Sequence, residues 1–215
     1  MYLLHGFFTQ NTMKTLYVLE ELGVEYEFRY VDLAKGEQRS ETFRKMTPAG
    51  RVPVLEHDGA FLFESGPICR YVASVEHSPL FPADKMERAR VDQWMTYFTC
   101  HPGRWLTSIF FEKMVKPMAG MGDPDPARIA EAEKFASQQL KGVNEWLGDH
   151  EWLANDHYSI AEPFALAYLE QAHVVGFALD PFPNLQAWLA RLESREGTAR
   201  ARTLVAPYRE AVMRG

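Results

Sequence analysis

Pro48-Ala-Gly-Arg51-Val52-Pro53-Val54-Leu55, followed closely by Phe63-Glu64-Ser65-Gly66, is the stretch on which the reading of this chain turns. A β-branched residue before proline favours extended backbone, and a proline, lacking an N–H, suits the opening of a strand. Val54-Leu55-Glu56 and Phe61-Leu62-Phe63 then flank Asp58-Gly59, a strong hairpin signal. Ser65 to Val75 reads as a helix carrying Ile68, Tyr71, Val72 and Val75 on one side. Moving toward the start, Tyr26, Phe28 and Tyr30 alternate with Glu27 and Arg29 as in a half-buried strand. Met13, Leu16, Leu19 and Leu22 mark a helix face that Gly23 stops, and Tyr2-Leu3-Leu4-His5 is a short strand. The order β-α-β, irregular connection, β-β-α predicts an α/β or split βαβ layer.

Beyond it the character changes. Glu76-His-Ser with Pro79 and Pro82 makes a linker over about 76–86. Glu87 to Phe111 is a long amphipathic run with Trp94, Met95, Phe98 and Trp105, which Pro102-Gly103 must bend or break. Pro117 to Pro126 reads as a loop. Ala127 to Leu147 is a helix with Ile129, Ala132, Phe135, Ala136, Leu140, Val143 and Leu147 at spacings of three and four. Ser159-Ile-Ala-Glu162 fits the capping box that opens a helix, here through about Gly176. Pro163 falls near its first turn, where no N–H is needed. Asn184 to Leu192 is another helix. The expectation is α/β plus all-α: a domain at 1–78 and an all-helical one at 87–215.

At 215 residues the chain has room for one large domain or two small ones. It is 47% hydrophobic and 24% charged, which excludes disordered and collagen-like classes. The net charge of −6 argues against a nucleic-acid footprint, which needs a basic face. No apolar run approaches the roughly 20 residues of a membrane span. Met1-Tyr-Leu-Leu-His-Gly carries no basic stretch and no cleavage pattern, so no signal peptide is expected. Two cysteines, Cys69 and Cys100, make no disulfide framework and suit a reducing cytoplasm.

Common catalytic motifs are missing: no G-x-x-x-x-G-K-[ST], no G-x-G-x-x-G, no G-x-S-x-G. The seven histidines are scattered without H-E-x-x-H or H-x-H, so no metal is expected. Both cysteines fall inside helical runs and read as small buried hydrophobes. Phe7-Phe8-Thr9-Gln10-Asn11-Thr12 is the turn where a thioredoxin-type layer places C-x-x-C; here positions 9–12 are Thr-Gln-Asn-Thr. Taken alone, Asn11 or Thr12 caps the following helix, which begins near Thr12. Ser65 likewise caps a helix, and that same helix end can bind an anion. An X-Pro bond is cis only about 5% of the time, so the pattern alone does not make Pro53 cis.

Taken in this order, the V-P strand start, the E-S-G helix start, the S-P-L-F-P linker and the S-I-A-E box resemble the glutathione transferase family. The resemblance covers essentially the whole chain, although the family usually has Asp where Glu162 stands. It implies a thioredoxin-like domain followed by a helical bundle, glutathione as co-substrate, no metal and a homodimer. Thr9-Gln-Asn11-Thr-Met-Lys14 matches T-x-N-x-x-K, and Asp32-Leu-Ala-Lys-Gly-Glu-Gln38 matches D-L-x-K-G-x-Q. Both are similar to the bacterial Nu class, a branch associated with disulfide-bond reductase as well as transferase activity. The chain has neither the Cys of beta and omega classes nor the Tyr of alpha, mu and pi at the strand-turn position; Tyr2 lies inside the first strand and reads as packing.

The resemblance also implies roles. Cis Pro53 would turn the Val52 main chain toward glutathione's cysteinyl backbone, a strand addition in miniature. Glu64 would hold the γ-glutamyl ammonium and Ser65 its carboxylate. Gln38, with Arg51 nearby, would meet the glycyl carboxylate. Thr9 or Asn11 would stabilise the thiolate, and either is open. Arg128 would reach a partner subunit's ligand. The electrophile, apolar or a disulfide, would meet walls such as Phe7, Phe8, Trp105 and the stretch Met114 to Met121. Two other readings share the fold: a non-catalytic binding or regulatory module, and a dehalogenase, isomerase or ether-cleaving branch. The chemically competent set Gln38, Val52-Pro53 and Glu64-Ser65 favours an enzyme over the non-catalytic module.

Overall fold

A computed structural model describes residues 1–214, so Gly215, the end of the expected helical domain, lies outside the described residues. The chain divides into two compact units, one of Met1–Phe81 with the segment from Ser194 onward, the other Pro82–Glu193.

The first unit is built on a four-stranded sheet: β1 (Tyr2–Gly6), β2 (Tyr26–Tyr30), β3 (Val54–His57) and β4 (Ala60–Phe63), in the spatial order β2-β1-β3-β4. β1 and β2 run parallel, with Leu4 beside Phe28; β3 is antiparallel to β1 and to β4. This is the split βαβ layer that the strand and helix order predicts, in the thioredoxin-like arrangement that the family resemblance implies. Along β2 half-buried and exposed residues alternate as the Tyr26-Phe28-Tyr30 pattern requires. The hairpin turn is made by Asp58 (φ 50°) and Gly59 (φ 78°), both left-handed, which is what a two-residue turn matched to strand twist demands.

Three helices are interleaved with or follow these strands. The first, α1 (Gln10–Leu22), stops at Gly23 in the left-handed conformation. It starts two residues earlier than expected, with Thr9 at the N-cap in place of Asn11 or Thr12. Thr9 is extended (φ −71°, ψ 157°), and its carbonyl accepts the Met13 N–H at 2.9 Å, so its peptide already closes the first turn. Every residue from Thr12 to Leu19 is buried. A six-residue helix, α2 (Glu41–Met46), is capped by Ser40 Oγ, which accepts the Phe43 N–H. In α3 (Ser65–Val75) the buried face is Ile68, Cys69, Val72 and Ala73; Tyr71 and Val75, expected inside, are exposed. Periodicity fixed the face to within one residue either side, and α1 covers the flank that carries Cys69.

The second unit is helical throughout. α4 (Lys85–Cys100) and α5 (Pro102–Phe110) are separated at His101, as Pro102 requires. A wider π turn (Phe111–Val115) follows, then the one-turn α6 (Lys116–Met118) where a loop was expected to start. α7 (Pro126–Asp149) buries Ala132, Ala136, Leu140, Val143 and Leu147; Ile129 and Phe135 are half-buried. α8 (Ala161–Val174) and α9 (Pro183–Glu193) complete it. The capping box forms chiefly through its acid: buried Glu162 accepts the Ser159 N–H (2.8 Å), the Ser159 O–H (2.7 Å) and the Leu153 N–H (2.8 Å). Ser159 Oγ accepts the Ala161 N–H instead of that of Glu162, and Pro163 sits in the first turn without breaking α8. Cys100, expected to be buried, is exposed at the last residue of α4, because its side chain falls outside the face marked by Val91, Met95 and Phe98.

A last helix, α10 (Glu196–Arg214), belongs to the first unit and packs on α1. Arg195 just before it places two guanidinium nitrogens on Glu21 Oε2, at 2.6 and 2.9 Å, and Arg200 Nε meets Glu20 Oε2 at 2.7 Å. Tyr208 stacks on Tyr30 with ring centres 4.3 Å apart. No helix among the described residues is long and apolar enough to cross a membrane.

Candidate active site

Three backbone features of the first unit converge on one cleft. The first turn of α1 brings Asn11, the strand entry before β3 brings Arg51, Val52 and Pro53, and the start of α3 brings Glu64 and Ser65. The cleft is small, about 60 Å³, and Thr47, Ala49 and Phe63 complete its wall. The Val52-Pro53 peptide is cis.

Each side chain has a local reason for its place. Glu64 is the N-cap of α3 with φ 72° and ψ 123°, a conformation that side-chain-bearing residues rarely adopt. Its side chain caps no helical N–H and stands exposed, so the carboxylate is presented outward. Ser65, the first residue of α3, is buried beside the free N–H groups of that helix end. A carboxylate and a helix N-terminus on adjacent residues form a two-signed site, suited to a ligand that carries an ammonium and a carboxylate close together. Arg51 is exposed on the cleft wall and makes no ion pair among the described residues.

Gln38 lies in the short turn Glu37–Arg39, outside the cleft lining. Gly50, at φ 56°, lets that turn come close: a Cβ there would stand 3.2 Å from the Gln38 carbonyl oxygen. Gln38 Oε1 is buried without a hydrogen-bond partner. Thr9 is half-buried, its hydroxyl lies 3.4 Å from the buried Thr12 hydroxyl, and it is not one of the residues that line the cleft. Asn11, by contrast, is exposed and lines the cleft. Its Oδ1 accepts a 2.8 Å hydrogen bond from Lys14 Nζ. Lys14 was absent from the expected site, although the T-x-N-x-x-K spacing puts it three residues, one helical turn, from Asn11.

The remaining expected positions lie elsewhere. Arg128 is in the helical unit, in the first turn of α7, 3.6 Å from Asp125 and 3.7 Å from the buried carboxylate of Glu112. Trp105 is half-buried and stacks on Phe135 at 4.8 Å, so the packing reading describes it. Phe7 and Phe8 stack on each other at 4.0 Å, and Arg209 lies over the Phe8 ring. Met118 and Met121 are exposed. Tyr2 is buried in β1 and donates its hydroxyl hydrogen to Glu76; burial, then that bond, raise its pKa above the usual tyrosine value. Cys69, also enclosed, has its thiol pushed up to about 12 by burial, which makes it unreactive. No group of three or more His, Cys, Asp or Glu able to hold a metal occurs among the described residues.

Two family models match: the N-terminal domain of glutathione S-transferase over residues 1–74 and its C-terminal domain over 106–196. Glutathione S-transferase hmp2 of Hypomyces subiculosus is 30% identical over 202 residues, covering 89% of this chain and 95% of that protein. Among solved structures, glutathione transferase F7 from Populus trichocarpa superposes with a TM-score of 0.88 at 25% identity, over 95% of this chain and 99% of its own. A glutathione S-transferase-I bound with lactoylglutathione gives 0.86 at 26% identity, over 94% and 99%.

Proposed function

The chain belongs to the glutathione S-transferase family, and on that premise we propose that its cleft binds glutathione and activates the glutathione thiol for attack on an electrophile. The observation that carries this is the meeting of Asn11, Val52-Pro53 and Glu64-Ser65 in one cleft. Glu64 pairs with the γ-glutamyl ammonium, and Ser65 with the α3 N-terminus takes the adjacent carboxylate. The Val52 main chain pairs with the cysteinyl segment. Gln38, donating through its side-chain NH2, and the Arg51 guanidinium meet the glycyl carboxylate.

A free thiol near pKa 8.5 is only a few per cent ionised at neutral pH. Lowering it by about two units takes roughly 2.7 kcal/mol of preference for the anion. A hydrogen bond to a charged group supplies about 1.5–3 kcal/mol and a helix N-terminus about 0.3–1. Asn11 in the first turn of α1 provides both. The thiolate then attacks the electrophilic carbon, the leaving group departs with its bonding electrons, and the thiol proton goes to solvent. The protein needs no nucleophile of its own, which suits the inert Cys69.

Membership of the Nu class, with glutathione-dependent disulfide reduction, is the finer proposal. Its support is the T-x-N-x-x-K segment at 9–14 and the D-L-x-K-G-x-Q segment at 32–38. A homodimer in which Arg128 reaches the partner's ligand, and a cytoplasmic location consistent with two unpaired cysteines, belong to the same reading. Isothermal titration with reduced and oxidised glutathione tests the core of it. Saturable binding of the reduced form is expected; no binding at millimolar ligand overturns it. A screen of halo-aromatic and disulfide substrates then separates transferase from reductase, and inactivity with all of them in a glutathione-binding protein favours the non-catalytic module.

A further inference from the structure

We propose that Lys14 is a positioning residue for thiol activation: its buried side-chain nitrogen holds the Asn11 amide oxygen and thereby turns the Asn11 NH2 into the cleft. This rests on Asn11 being the group that meets the glutathione sulfur.

Lysine is almost never fully buried unless it is paired. Lys14 is 1% exposed, on the second turn of a helix whose neighbouring positions are Met13, Leu16 and Tyr17, all equally buried. A methionine would fill the same volume at no desolvation cost, so the nitrogen calls for a chemical reason. That reason is on the page: Nζ donates to Asn11 Oδ1 at 2.8 Å, one helical turn back.

The consequence follows from the amide's asymmetry. Asparagine carries acceptor lone pairs at one end and two N–H donors at the other. With the oxygen facing Nζ, the NH2 faces the opposite way; the flipped amide would set its N–H groups against another donor. A sulfur anion is stabilised by donors and repelled by carbonyl oxygen. Left free to rotate, Asn11 would offer either end. Lys14 removes the wrong one.

Protonation does not undo the contact. Burial pulls the Lys14 ammonium well below the usual lysine value, with the fields of Cys69 and Glu64 opposing. A neutral amine still has N–H groups to donate to Oδ1 but gains a lone pair that accepts, so it is the protonated amine that enforces the orientation. Cys69 is tied to the same residue from α3, its Sγ lying 3.7 Å from the Lys14 carbonyl.

A double-mutant cycle on the full-length protein tests this, using Lys14→Met, Asn11→Ala and the pair. The readouts are the pKa of enzyme-bound glutathione, titrated by thiolate ultraviolet absorbance, and kcat with KM for glutathione. Lys14→Met is expected to raise the bound-thiol pKa by about one unit and to lower kcat at neutral pH about tenfold, since one unit is a factor of ten. KM for glutathione should stay near wild type. On the Asn11→Ala background, Lys14→Met should do nothing further, because its route of action is gone. The proposal is overturned if Lys14→Met leaves the thiol titration at wild type while Asn11→Ala raises it, or if the two effects multiply. Should Asn11→Ala itself leave the titration unmoved, the assignment of Asn11 falls and this proposal with it. If Lys14→Met fails to fold, Lys14→Leu carries the same cycle with the same expected outcome.

Discussion

Replacing Glu64 with glycine separates two quantities that this residue combines. Its backbone, at φ 72° and ψ 123°, is in a region that costs a side-chain-bearing residue of order 1–3 kcal/mol. Glycine enters that region freely, but it gives back about 0.5–1 kcal/mol through the greater freedom of its unfolded chain. The side chain caps no N–H of α3, so no cap is lost. Glu64→Gly is therefore expected to be as stable as wild type or more stable by up to about 2 kcal/mol. For a chain of this size that is as much as about 4–8 °C in midpoint. Ligand binding moves the other way. Loss of a charge-assisted bond worth about 1.5–3 kcal/mol weakens glutathione about 10- to 150-fold. Thermal unfolding without ligand and calorimetric titration with glutathione read the two effects separately. Wild-type affinity would refute Glu64 as the ammonium's partner, and a clear fall in stability would refute the strain.

Asn11→Ala should lower the conjugation rate at neutral pH by about 10- to 100-fold, from the loss of a bond of about 1.5–3 kcal/mol. Thr9→Ala, whose hydroxyl lies toward Thr12, should cost far less; equal losses from steady-state kinetics would mean that Thr9 shares the sulfur. A thiol reagent added to the native protein should modify Cys100 alone, and Cys69 only on unfolding; early modification of Cys69, detected by mass spectrometry, would contradict its burial. Burial pushes the Glu162 carboxyl up to about 7, against its hydrogen bonds from Ser159 and Leu153. The folded state thus binds this proton more tightly than the unfolded one, and stability from it is full below the usual glutamate value of 4.5 and lost as pH rises through about 7. Across that window wild type should lose about 3 kcal/mol that Glu162→Gln does not lose, measured by urea unfolding; parallel profiles would sink the prediction.

The sheet layer and most of its helices were legible because their rules are local. Asp58-Gly59 supplies the left-handed pair a tight hairpin needs, and Tyr26-Phe28-Tyr30 repeats at the period of a strand. Gly23 and Pro102 end helices through their own backbone chemistry. That Val52-Pro53 and Glu64-Ser65 meet in one cleft follows from the strand start and helix start that carry them.

What escaped the sequence depends on which neighbour covers which flank. A 3.6-residue period marks an apolar face but does not say whether Tyr71 or Cys69 is the side of α3 that another helix meets. Cys100 reads as core in a helical run, yet its position on α4 leaves it outside the packed stripe. Nothing local in the sequence marks Lys14 as buried, since charge is costly to bury; only the packed layer shows it buried with its nitrogen on Asn11. The final helix is bound to α1 by Arg195 to Glu21 and Arg200 to Glu20, pairs 174 and 180 residues apart that no local pattern connects. The sequence by itself therefore determined most of the elements and the turn chemistry, because backbone conformation and periodicity are short-range. Tertiary structure alone decided which polar groups lose water, as it did for Lys14, and that Asn11 lines the cleft, because burial is set by contacts distant along the chain.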